Sequence, residues 1–289
     1  MYFGSILTAM VTPFDENGHI NYDVTSELIE HLIVHGTEGI VVSGTTGESP
    51  TLSTEEKIDL FKHVVAVVNN RIPVIAGTGD NNTKSSIQLT KEAEKSGVDA
   101  VMLVTPYYNR PSQRGLYEHY VAIAKETSLP IMLYNIPTRS GVNMTAETVI
   151  QLSEIDNIVS IKEGSGDLDQ MTKIIQQTDE SFSLYSGDDS MTLPALSVGA
   201  KGVVSVASHI IGTDMSDMVR AFRSGNYEHA AKIHRQSLPV YKGLFAAPSP
   251  APVKAALREI GIDVGGVRLP LVDLTEKELA SLKEILPTK

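Results

Sequence analysis

The chain has 289 residues, 42% of them hydrophobic, enough to bury a large core as one α/β domain or as a domain with an appendage. A net charge of −11 and a pI near 5.2 argue against a nucleic-acid partner, because phosphate binding needs clusters of Lys and Arg. With no cysteine there are no disulfides, no thiolate metal sites and no cysteine nucleophile.

The start, MYFGSILTAMVTPFDENG, has no basic leading segment and meets Pro13 and Asp15 early, so it reads as a first strand and not as a signal peptide. No apolar run approaches the ~20 residues of a membrane helix, and a cytoplasmic protein is expected. The sequons at Asn81 and Asn143 are then chance matches.

Along the chain, short apolar runs alternate with amphipathic stretches. GSILTA (4–9) precedes the helical pattern TSELIEHLIVHG, GIVVSG (39–44) precedes STEEKIDLFKHVVAVVNN, and IPVIAG (72–77) precedes KSSIQLTKEAEKSG. DAVMLV (99–104), LPIMLY (129–134), IVSIK (158–162), FSLYSG (182–187) and GVVSV (202–206) continue the series. Ser53-Thr54-Glu55-Glu56 and Asn82-Thr83 have the residue types that cap helix starts.

The strand runs are continuously apolar, as expected where helices cover one face and a packed interior the other. Eight such βα units predict a (β/α)8 barrel. The alternative is a doubly wound open sheet, which more often stops at five or six strands and carries a nucleotide fingerprint. From about Thr213 the pattern is helical only, broken by Gly225, Pro248 and Pro250. The expected division is a catalytic barrel over residues 1–225 and a small C-terminal helical appendage over residues 226–289.

In such a barrel, chemistry sits on the loops after the C-terminal ends of the strands. The residues placed there are mostly hydroxyl-bearing: Thr8, the stretch Ser43 to Glu48, Thr78, Thr105 to Tyr108, Tyr134, Ser205, and the single cation Lys162, with Arg139 nearby. No metal site or cofactor is expected. His31 and His35 lack the intervening glutamate of a zinc protease motif and read as a solvated helix face. Gly44-Thr45-Thr46-Gly47 lacks the spacing of a phosphate loop and, taken alone, is as much a tight turn as a functional one.

Lys162 has two readings. Either the sixth strand simply reaches solvent there, or a poorly solvated amine stands at the barrel mouth. A lysine becomes nucleophilic when desolvation penalises its ammonium form. The neutral amine condenses with a ketone to give a Schiff base whose iminium acidifies the adjacent carbon, a route that needs neither metal nor cofactor. It does need proton shuttles. Tyr134, at the end of the neighbouring strand, suits that task, with Thr46 and Tyr108 as relay partners; each alone could equally be a packing residue. The Gly44 to Gly47 turn could offer backbone N–H groups to a small carboxylate.

GTTGES (44–49), TPYYNRPSQ (105–113), YNIPTRSG (134–141), IKEGSGD (161–167) and SGDD (186–189) together resemble the dihydrodipicolinate synthase family of pyruvate-dependent class I aldolases. PVKAAL (252–257) and VRLPL (267–271) extend the resemblance over essentially the whole chain. It implies that Lys162 forms a Schiff base with pyruvate and that Tyr134 is the general acid/base. Thr46 would relay protons, and Tyr108 would complete the relay from a neighbouring subunit. The Thr45 and Thr46 amides would hold the pyruvate carboxylate, Gly187 and Val204 would add backbone contacts, and Arg139 would recognise the carboxylate of L-aspartate-4-semialdehyde.

The implied reaction condenses these two substrates and cyclises the product to 4-hydroxy-tetrahydrodipicolinate. The implied assembly is a homo-oligomer, a tetramer built as a dimer of dimers. N-acetylneuraminate lyase and 2-keto-3-deoxy sugar acid aldolases share the lysine and tyrosine. Arg139 favours the synthase, because a short aldehyde ending in a carboxylate wants a cation where a sugar chain wants hydroxyl-binding groups. A non-enzymatic barrel that binds pyruvate without a covalent bond is the reading from another class. One departure stands out: Thr54, Lys57 and Ser85 replace side chains that hold the feedback inhibitor lysine in relatives, while Ser49, Asn81 and Tyr107 are kept, so lysine inhibition is expected to be weak or absent.

Overall fold

The computed structural model describes residues 1–287. Eight strands, β1 (Ile6–Ala9), β2 (Gly39–Val42), β3 (Val74–Gly77), β4 (Ala100–Val104), β5 (Ile131–Asn135), β6 (Ile158–Glu163), β7 (Ser183–Ser186) and β8 (Gly202–Ser205), pair in parallel in sequence order. β8 pairs back onto β1, closing the barrel. The expected (β/α)8 architecture is what forms.

The helices α1 (Tyr22–Val34), α2 (Thr54–Val68), α3 (Thr83–Lys95), α4 (Gln113–Ala124), α5 (Pro137–Ser140), α6 (Ala146–Ser153), α7 (Leu168–Gln177), α8 (Thr192–Ser197) and α9 (Ser208–Arg223) follow the strands around the ring. α10 (Tyr227–Gly243), α11 (Ala251–Ile260) and α12 (Glu276–Lys283) complete the C-terminal region. The Ser53 side chain accepts from the Glu56 amide while the Glu56 carboxylate accepts from the Ser53 amide, so α2 starts in the capping box read from sequence. α9 starts at Ser208, some residues before the helical pattern expected from Thr213, and bends at Ile211 (φ −122°, ψ 34°). Its first turn hides its periodicity because Ser208, His209 and Ile211 are all buried.

Apolar strand residues divide by parity. Leu7, Val41, Ile75, Met102, Met132, Tyr134, Tyr185 and Val204 fill the barrel interior, whereas residues such as Ile6, Ile40, Val101, Leu133 and Ile161 pack outward beneath the helices. Val240, Tyr241, Leu244, Val253, Leu257 and Leu282, all beyond Gly225, belong to that same outer core.

β5 and β6 pair with one irregularity: Ile131 lies opposite Ile158, but Met132 lies opposite Ser160, leaving Val159 as an extra residue. Side chains alternate with period 2. Without the extra residue Tyr134 would face Ile161 and Lys162 would point outward. With it, Tyr134 faces Lys162 inside the barrel and Asn135 faces Glu163 outside.

His209 anchors the start of α9. Its Nδ1–H donates to the Val206 carbonyl at 2.8 Å and its Nε2 accepts from the Val11 amide at 3.2 Å, so the ring is held neutral in one tautomer. Burial pulls its pKa from 6.5 to about 4. An unfolded histidine takes up a proton near 6.5 and the native one only near 4, so stability is lost as pH falls through that window. The buried carboxyls Asp189 and Glu163, raised by burial, act in the opposite sense. Urea unfolding at pH 7 and pH 4.5 is expected to show a smaller acid-side loss in His209→Gln than in the wild type, by up to about 3 kcal/mol; equal losses would remove His209 as a cause.

Candidate active site

At the C-terminal rim of the barrel, the Lys162 side chain is only 5% exposed, and its Nζ stands 4.2 Å from the centre of the Tyr134 ring. The sixth strand therefore does not reach solvent at Lys162. Glu163 is buried too, on the other face of the strand, where its carboxylate accepts from Asn135 Nδ2 at 3.0 and 3.1 Å, Gln170 Nε2 at 2.9 Å and the Ser165 amide at 2.7 Å. Burial raises its pKa, opposed by these hydrogen bonds. The Asn135–Glu163 contact ties β5 to β6 one residue beyond the Tyr134–Lys162 pair.

The turn after β2 forms an adjoining wall. Thr46 is buried and Thr45 half-buried. The Glu48 amide donates to the Thr45 carbonyl and the Ser49 amide to the Gly44 carbonyl, closing the turn on itself. Gly77 lets it sit close to β3, since a Cβ there would lie 2.4 Å from the Ser43 carbonyl oxygen. Gly187 plays the same part after β7: its amide donates to the Glu163 carbonyl at 2.7 Å, and a Cβ would meet Gly164 at 3.0 Å. Val204 is buried in β8, inside the barrel.

A cavity of about 560 Å³ opens at this rim, with Gly44, Thr45, Gly77, Tyr134 and Arg139 among its walls. Arg139 lies on α5, exposed, its amide donating to the Ile136 carbonyl at 3.0 Å and its guanidinium making no hydrogen bond or ion pair with the described residues. Lys57 and Tyr107 line the same cavity, and burial lowers the Lys57 pKa while Asp80 opposes the shift. Tyr108 stands apart from this group: it is 90% exposed, with a left-handed backbone (φ +71°), on a loop tied down where Asn109 Nδ2 donates to the Asn81 carbonyl. Among the described residues, no three His, Asp or Glu side chains gather as metal ligands would. His35 is exposed as read from sequence, but His31 is half-buried, its Nε2 donating to the His209 carbonyl.

Two buried carboxyl groups near the rim have partners that the sequence did not reveal. Asp189, within SGDD, accepts from Ser205 Oγ at 2.5 Å and from the Val206 and Ala207 amides, shaping the turn after β8; burial raises its pKa. Glu48, within GTTGES, pairs with Lys254 of α11 at 2.7 Å, both side chains wholly buried. Glu48 and Asp189 lie inside the quoted motifs, but their partners lie elsewhere in the chain.

The model of the dihydrodipicolinate synthetase family matches residues 2–289. The chain belongs to that family. Among its relatives, the 4-hydroxy-tetrahydrodipicolinate synthase 2 of Halalkalibacterium halodurans is 61% identical over 286 residues, covering 99% of this chain and 98% of the relative. The crystal structure of dihydrodipicolinate synthase from Bacillus anthracis superposes with a TM-score of 0.98 at 58% identity, covering 99% of this chain and 98% of that one. The chloride-inhibited dihydrodipicolinate synthase of Acinetobacter baumannii, complexed with pyruvate, superposes with a TM-score of 0.95 at 41% identity, covering 99% and 98%. As a member of the dihydrodipicolinate synthetase family, the chain is a lyase of the class I aldolase type.

Proposed function

We propose that the protein is a 4-hydroxy-tetrahydrodipicolinate synthase of diaminopimelate and lysine biosynthesis, condensing pyruvate with L-aspartate-4-semialdehyde through a Schiff base on Lys162. The observation that carries this reading is the amine of Lys162, buried against the Tyr134 ring at the rim where barrel enzymes place their chemistry.

The Lys162 amine attacks C2 of pyruvate, and the carbinolamine loses its oxygen as water to leave an iminium. Loss of a proton from C3 gives an enamine, whose C3 bonds to the aldehyde carbon of the second substrate. The amino group of that substrate then displaces Lys162 from the iminium carbon, closing the ring and freeing the lysine. Tyr134 hands protons to and from the departing oxygens, with Thr46 and Tyr108 as its relay. The Thr45 and Thr46 amides hold the pyruvate carboxylate, with Gly187 and Val204 contributing backbone contacts. Borohydride reduction in the presence of pyruvate should leave a stable adduct on the peptide carrying Lys162; no adduct under saturating pyruvate would overturn the reading.

Arg139 supplies the selectivity. Its guanidinium lines the cavity with no partner of its own among the described residues. A carboxylate at the far end of the aldehyde substrate matches it in charge and geometry. Arg139→Ala is expected to lower kcat/KM for the semialdehyde by about 100-fold while leaving pyruvate trapping within about 3-fold. Equal losses for both would remove the reason for choosing this substrate.

The exposed Tyr108 supports assembly with a second copy of the chain, as in a tetramer made of two dimers. The proposed catalytic groups all fall within residues 1–225, with the helices α10, α11 and α12 built onto them as a C-terminal region. The absence of cysteine and the acidic composition support a cytoplasmic setting. With Lys57 in the cavity wall, free lysine is expected to inhibit weakly; a steady-state assay showing half-inhibition at micromolar lysine would contradict this.

A further inference from the structure

Both residues flanking the Gly44–Gly47 turn are non-glycine residues held in the left-handed region, Ser43 at φ +55° and Glu48 at φ +56°. Such a backbone persists only where the surroundings over-determine it. At Glu48 the surroundings come from the far end of the chain. Lys254 Nζ lies 2.7 Å from Glu48 Oε1, both side chains at 0% exposure, and the Arg268 amide donates to Glu48 Oε2 at 2.9 Å.

Lys254 is itself fixed. It donates to the Gly266 carbonyl at 2.7 Å and stands 4.1 Å above the centre of the Phe14 ring. The Arg268 guanidinium lies over the same ring at 4.4 Å and reaches Glu56, Gly18 and Thr51. The residue next to Glu48 is anchored as well, since Thr12 Oγ1 donates to the Gly47 carbonyl at 2.7 Å. One end of the turn is thus bolted to α11 and to the segment after it.

A buried ion pair is weak as a source of stability, because desolvating two charges offsets most of their attraction, but it is demanding in geometry. The turn it holds carries the amides that the proposed function assigns to the pyruvate carboxylate. We propose that the Glu48–Lys254 pair is a positioning device, holding the Thr45 and Thr46 amides where they receive the carboxylate of the keto-acid substrate. The inference rests on that functional reading and extends it to the C-terminal region, which otherwise touches none of the proposed chemistry.

The test replaces the pair by an uncharged one, Glu48→Gln with Lys254→Met, and uses Glu48→Gln alone as a second variant. Circular dichroism and thermal melting establish folding, and steady-state kinetics are then read against both substrates. The expected result is a KM for pyruvate raised by about 10-fold or more in the double variant, with kcat and the KM for the semialdehyde within about 3-fold. Glu48→Gln alone, which leaves the Lys254 ammonium buried against a neutral acceptor, should raise the pyruvate KM as well. It decides the matter alone, by any rise in pyruvate KM beyond about 2-fold, should the double variant fail to fold.

A folded variant with an unchanged pyruvate KM, or with both KM values or kcat moved together, would reduce the pair to structural glue and overturn the inference. Borohydride trapping on the wild type is done first. No adduct on Lys162 defeats the functional reading, whereas an adduct with an unmoved KM defeats only the positioning role.

Discussion

Replacing Lys162 by methionine is expected to eliminate turnover, by on the order of 10⁴-fold or more, and to leave no borohydride-stable pyruvate adduct anywhere in the chain. The amine provides the only covalent route proposed, and methionine has no nucleophilic nitrogen. The same variant should melt no lower than the wild type. Lys162 is 5% exposed, so its four methylenes already pack in the barrel mouth while its polar end is removed from most water. Methionine keeps nearly that volume and buries no polar group. Lys162→Ala should be equally inactive but less stable, because it leaves a cavity. An active Lys162→Met enzyme, or a pyruvate adduct trapped on a different lysine, would remove Lys162 from the centre of the mechanism.

The second large effect is expected at Tyr134. Tyr134→Phe removes one oxygen and keeps the ring that faces Lys162 at 4.2 Å, so the barrel mouth should stay packed. The loss should fall on proton transfer, lowering kcat by about 10²- to 10⁴-fold. The adduct on Lys162 should still form, slowly, because the amine is unchanged. That separates it from Lys162→Met, where no adduct forms at all. A kcat within about 3-fold of the wild type would assign the acid/base work to another group. Loss of the adduct with normal folding would instead show that the phenol governs the lysine and not the departing oxygens.

The strands were readable because a strand covered on both faces must be apolar throughout, and eight such runs stand out between helical stretches. The starts of α2 and α3 were readable because capping chemistry is local: Ser53 and Asn82 bond to amides two or three residues away. The start of α9 was not, because its buried first turn carries no polar face to reveal the helical period. The exposure of His31 was misjudged for a related reason, since its partner His209 lies far along the chain.

By itself, then, the amino-acid order determined the barrel, the rim on which Lys162, Tyr134, the Gly44–Gly47 turn and Arg139 gather, and the family, since each is written in residues close together along the chain. The tertiary structure alone decided three things. The extra residue Val159 turns Lys162 inward to face Tyr134, a matter of register between two strands. The burial of Lys162 and Glu163 on opposite faces follows from closure of the sheet. The Glu48–Lys254 pair joins groups some two hundred positions apart, and whether two charges meet across that distance depends on how the whole chain packs.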